Sequence, residues 1–179
     1  MDYARVYDVL TQARGRLFGW LRPLNQEQYT QQFPFGMGTL RATLIETARV
    51  ELLYGMRLRG EPVPPPPLSD TFPISETRQP TFADLEQAWT AQAPQTRATL
   101  ARTTDWATTL TRRIEQGDKV VITTASKAEI AVQMLMHEVH HRAQVMAMLR
   151  QLGVEAQNLD YIGFVARREE YPKDRAPRA

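Results

Sequence analysis

All three histidines of the chain, His137, His140 and His141, fall within five residues of one apolar segment, Met134-Leu-Met-His-Glu-Val-His-His-Arg-Ala-Gln-Val-Met-Ala-Met-Leu-Arg150. His137 and His141 are one helical turn apart, so on an α-helix they share a face and two imidazole nitrogens can converge on one divalent metal ion. Counting about 100° per residue, Ile130, Met134, His137, His141, Val145 and Met148 fall within an arc of about 80°, which directs both histidines to the core. His140 lies at the edge of that arc. A buried histidine satisfied by hydrogen bonds is the alternative to a ligand. His137, Glu138 and His141 also fit the spacing HExxH, in which Glu138 would activate a hydrolytic water, but the motif is short and frequent by chance.

Composition narrows the chemistry. The 179 residues include no cysteine, so thiolate sites and disulfides are excluded and His, Asp and Glu remain as ligands. A formal charge of +2 is small. Nineteen arginines against three lysines are scattered over helix faces without a basic stripe interleaved with aromatics. That pattern predicts solvated helix surface and no nucleic-acid partner. No segment approaches the roughly 18 apolar residues of a membrane span, and no apolar leader is evident. The expectation is a soluble cytoplasmic protein.

Elements that must position the histidines can be read from periodicity and punctuation. Residues 2–21 repeat apolar side chains at helical spacing (Val6, Val9, Leu10, Ala13, Leu17, Trp20) until Pro23, giving a first helix. Residues 25–38 read as a connector, and Thr39 caps a second helix to about Arg59. The proline-rich stretch 60–80 cannot be helical and reads as a surface loop with a polyproline II start. Thr81 and Asp84 open a third helix to about Arg102, with a kink expected at Pro94. Two Thr/Val/Ile-rich runs flank Gln116-Gly117-Asp118 and read as a short hairpin. Ser126 and Glu129 then form a capping box for the last helix, which Gly153 ends. Four helices with long crossovers predict an all-α four-helix bundle over residues 1–165, followed by a charged, flexible tail over 166–179.

The string His137-x-x-His140-His141-Arg142-x-Gln144, followed by Leu149-Arg-Gln-Leu-Gly153, resembles the HxxHHRGQ pattern of the DinB/YfiT-like superfamily of metal-binding four-helix proteins. Ala143 replaces the usual glycine. The resemblance extends to Gly38–Glu51, to the hairpin and to Leu159-Asp-Tyr-Ile-Gly-Phe164, covering about residues 3–165. It implies a metal held by His137 and His141, with a third histidine from the second helix. This chain carries Glu46 at that position and Glu51 five residues on. A carboxylate ligates Zn, Ni, Mn or Fe, and two His plus one carboxylate form an open site. Gln144 and His140 are candidates to support the ligands, and Arg142 is expected at the surface or an interface.

The resemblance further implies a metal-dependent enzyme of thiol-transferase or hydrolase type, acting with a low-molecular-weight thiol or another small molecule. The alternative is a non-catalytic, stress-associated dimeric scaffold or small-molecule binder, with the site degenerate, Glu46 hydrogen-bonded to a histidine and the metal absent. Apolar Val132, Leu135, Val139 and Met146 on the other side of the last helix call for cover on nearly all faces, from the core or from a homodimer seam.

Overall fold

The histidine segment lies on the longest helix of a mostly helical chain that also carries a two-stranded antiparallel sheet. The structure, a computed structural model, describes residues 1–65, 68, 70–167 and 169. The long helices are α1 (Tyr3–Leu21), α3 (Leu40–Arg59), α4 (Phe82–Arg102) and α5 (Lys127–Gln151), and two short ones are α2 (Gln26–Thr30) and α6 (Ile162–Val165). Contacts run α1 to α4, α4 to α3, α3 to α5 and α5 back to α1. The four long helices therefore close a ring, and each buries one stripe against two neighbours.

The caps follow the sequence signals. Side chains of Asp2, Thr39, Thr81 and Ser126 accept from the backbone three residues on, and Thr81–Asp84 and Ser126–Glu129 are reciprocal capping boxes. Gly60 ends α3 at φ 73°, in the left-handed region open to glycine at little cost. α4 continues through Pro94. The connector 25–38 departs from expectation: Asn25 and Gln28 build a capping box that starts α2, a signal that five residues of helix leave without an apolar period to reveal it. Residues 60–80 contain no helix or strand among those described. The polyproline start extends into residues outside the description, as does the tail from residue 170.

β1 (Thr109–Gln116) pairs with β2 (Lys119–Ser126), Thr109 opposite Ser126 and Gln116 opposite Lys119. β2 runs directly into α5. Lys127 anchors that junction through Asp105, 2.7 Å away, and Trp106 packs against Tyr3 of α1 with the rings tilted by 47° and 4.3 Å between centroids. The hairpin is thereby attached at the same end of the helices as the start of α5.

The apolar core divides into two clusters. One gathers Leu17, Phe18, Leu44, Trp89, Val145 and Met148; the other gathers Tyr7, Leu10, Leu58, Ile130 and Met134. On α1, α3 and α5 the residues between the clusters are polar and buried: Arg14, Glu51, Glu138 and His141. A polar layer thus crosses the helices at mid-height. Two expectations are corrected here. Arg14 and Arg142 are buried, not solvated or at an interface: Arg14 sits on the stripe of Leu10, Ala13 and Leu17, and Arg142 reaches the carbonyl of Leu159 at 3.4 Å.

Candidate metal centre

α5 presents the polar layer on two sides. About 100° separates consecutive helical residues, so His137 and Glu138 face different neighbours. Glu138 turns to α1, where both its oxygens accept from Arg14, Nε at 3.1 Å and Nη2 at 2.6 Å. Arg14 Nη2 also donates to Glu51 Oε2 at 2.7 Å. Glu51 accepts further bonds from the Tyr7 hydroxyl, Trp89 Nε1 and Thr96 Oγ1, each at 2.8 Å, and from Gln92 Nε2 at 3.1 Å. Every long helix contributes to this cluster.

Burial would raise the Glu51 pKa, but the Arg14 charge and the donated hydrogen bonds outweigh it and hold the carboxyl below its ordinary value. For Arg14, burial alone would lower the pKa, and the two carboxylates raise it well above the ordinary value. The cluster is therefore a buried ionic clamp, and it fixes α5 against α1 and α3. Glu138 is committed to it and is not free to serve as the water-activating base of an HExxH site.

On the other side of α5 the two ligand candidates meet. His137 Nε2 and His141 Nε2 are 3.1 Å apart, with the rings inclined at 73°. His141 is buried and His137 half-buried. Metal–nitrogen bonds of about 2.0–2.1 Å place two cis or tetrahedral nitrogens about 2.9–3.4 Å apart, so the observed separation matches one edge of a coordination sphere. Gln144 Oε1 accepts from His141 Nδ1 at 2.8 Å, and Gln144 Nε2 donates to His140 Nε2 at 3.0 Å. In the tautomer with the hydrogen on Nδ1, the Nε2 lone pair of His141 is directed toward His137. Burial, then the proximity of His141, lowers the His137 pKa to about 4, against an opposing pull from Glu46. Near neutral pH His137 is uncharged, the form that ligates a metal.

Gln144 is itself held. Gly36, at φ 62°, lies so close that a Cβ there would stand 3.1 Å from Gln144 Oε1 and from Met148 Cε. The loop before α3 thus covers the carboxamide. His140 is exposed, bonds to Gln144 and meets the His141 ring edge-on at 4.9 Å between centroids. If Gln144 orients His141 as described, Gln144→Ala should weaken metal binding about 10- to 100-fold. Competition against a chromophoric chelator measures this, and an unchanged affinity would show the carboxamide to be irrelevant.

Glu46 lies on α3, half-buried and close enough to act on the charge of His137, but its carboxylate is paired with Arg49. Among the described residues no group of three or more His, Asp or Glu side chains is assembled as a metal cage. The histidine edge is thus formed and the third ligand is not. Arg49, three residues after Glu46, is the residue that sequence reasoning passed over; the i, i+3 spacing of opposite charges was its signal.

A family model described as the DinB family matches residues 2–174. The chain belongs to the DinB family. The match spans nearly the whole sequence and includes both the helix of the histidine pair and the helix of Glu46. No curated protein matches the chain. No helix among the described residues of this DinB family member is long and apolar enough to cross a membrane.

Proposed function

We propose that the protein is a metal-dependent enzyme of the DinB family whose ion is held by His137, His141 and Glu46, within the four-helix bundle predicted from its sequence. The single observation that carries this reading is the 3.1 Å convergence of two imidazole Nε2 atoms. With His141 Nδ1–H donated to Gln144, His141 Nε2 would accept the hydrogen of His137 Nε2 in the absence of metal, and both Nε2 lone pairs would serve as ligands in its presence. Glu46 is the carboxylate to be recruited from Arg49. Bound there, a divalent ion of the Zn, Ni, Mn or Fe class would lower the pKa of a thiol or water and so supply a nucleophile at neutral pH. The chain's own residues orient and desolvate: Gln144 sets the His141 tautomer, Gly36 packs on Gln144, and the Arg14 clamp fixes the register of α5.

Thiol-dependent transfer or hydrolysis is the reaction class that such an open site supports. The Glu46–Arg49 pair favours a second reading, a non-catalytic, dimeric small-molecule binder with a degenerate site. Metal content separates the two. Protein purified without an affinity tag from metal-replete medium should carry about one equivalent of a divalent first-row ion. His137→Ala and His141→Ala should lose it, and Glu46→Ala should weaken it. Less than about a tenth of an equivalent in the unaltered protein would leave the scaffold reading in its place.

A further inference from the structure

A cavity of about 450 Å³ lies between the C-terminal half of α3 and the hairpin, with Glu46 and Arg49 at its wall. Its apolar lining includes Val50 and Leu53 of α3 and Val63 and Leu68 of the segment that follows. Its polar lining is cationic, Arg57 from α3 and Arg112 from β1. Arg49 is neutralised by Glu46. Among the described residues no carboxylate pairs with Arg57 or Arg112. Arg57 instead lies 5.7 Å from the centroid of the Tyr54 ring. Both arginines are half-buried, so they repel each other in a partly desolvated place. Burial, with Arg112 adding to it, lowers the Arg57 pKa. The neighbouring Arg113 differs: it is exposed and pairs with Glu115.

We propose that this cavity is a binding site for a small organic anion, whose carboxylate, sulfonate or phosphate head is taken by Arg57 and Arg112 and whose apolar body lies along Val50 and Leu53. The two guanidiniums, without a carboxylate partner among the described residues, offer the forked donors that such heads accept, and an anion cancels the repulsion between them. The volume lies within the ordinary range for small-ligand sites. Glu46 belongs both to the wall of the cavity and to the surroundings of His137. An anion held by the arginines therefore has its other end directed toward the histidine edge, which makes small organic anions the substrate class. That last step rests on the proposed metal function; binding itself does not.

The test is a fluorescence titration of the chelator-treated protein with two probes of one skeleton, anionic 1-anilinonaphthalene-8-sulfonate and uncharged N-phenyl-1-naphthylamine. The sulfonate should bind saturably at one site, and the uncharged probe about tenfold or more weaker. Arg57→Gln and Arg112→Gln should each weaken sulfonate binding about tenfold, while Arg113→Gln leaves it unchanged. Melting curves accompany each variant, and Arg112→Gln, on the hairpin, decides the matter if Arg57→Gln melts early. Equal binding of the two probes, or unchanged binding in Arg112→Gln, would overturn the proposal. Sulfonate binding retained in a protein that takes up no metal would overturn the metal function and leave this site standing.

Discussion

Arg14→Leu is expected to destabilise the protein by about 3–5 kcal/mol at pH 7, because it leaves Glu51 and Glu138 buried without their shared cation. The shape of the side chain is roughly kept, so loss of volume contributes little. The effect should depend on pH with a defined sign. In the unaltered protein the Glu51 pKa is held below its ordinary value, so its contribution to stability is complete above that value and is lost as pH falls through the depressed one. Without Arg14, burial dominates and raises the Glu51 pKa, so protonation relieves the variant. The stability gap between variant and parent should therefore shrink between pH 7 and about pH 4.5. Urea unfolding at the two pH values measures it; a gap below about 1 kcal/mol, or one independent of pH, would show that the clamp does not organise the core.

Trp89→Ala should cost a similar amount, about 3–5 kcal/mol. Trp89 is 1% exposed and fills the centre of the larger apolar cluster. Its indole lies 4.1 Å beneath the Arg14 guanidinium and 5.7 Å from Phe18 between ring centroids, and its Nε1 donates to Glu51. Trp89→Phe isolates the last of these. It retains most of the packing and removes one donor from a buried carboxylate, for an expected loss of about 1–3 kcal/mol. If the Trp89→Phe variant were as unstable as Trp89→Ala, the hydrogen bond and not the packing would be the main contribution of Trp89. Equal stability of the Trp89→Phe variant and the parent protein would remove Trp89 from the clamp.

Much of the scaffold was legible because its signals are local. Thr39, Thr81 and Ser126 announce helices through side-chain bonds that span three residues, and Gly60, Gly117 and Gly153 mark chain reversals at positive φ. The histidine pair and Gln144 were legible for the same reason, since one turn of helix relates them. The ionic clamp was not. Arg14 meets Glu51 and Glu138 across 37 and 124 residues of sequence, and no periodicity within one helix specifies a partner on another. What the sequence did hold was an arginine on the apolar stripe of its own helix, which marks a buried cation in need of an anion. Glu46 shows the converse difficulty. Its place on α3 was foreseeable, but its choice between Arg49 and the histidines depends on energies that spacing does not encode.

The most direct measurement is of the imidazole nitrogens themselves. Chelator-treated protein, labelled with ¹⁵N in histidine, is titrated with Zn(II) and followed through the long-range ¹H–¹⁵N couplings of the three rings. The Nε2 resonances of His137 and His141 should both move to ligated values with one equivalent, with His141 Nδ1 still protonated and His140 unligated. If neither Nε2 responds, or if His140 responds in place of the pair, the proposed metal centre is contradicted.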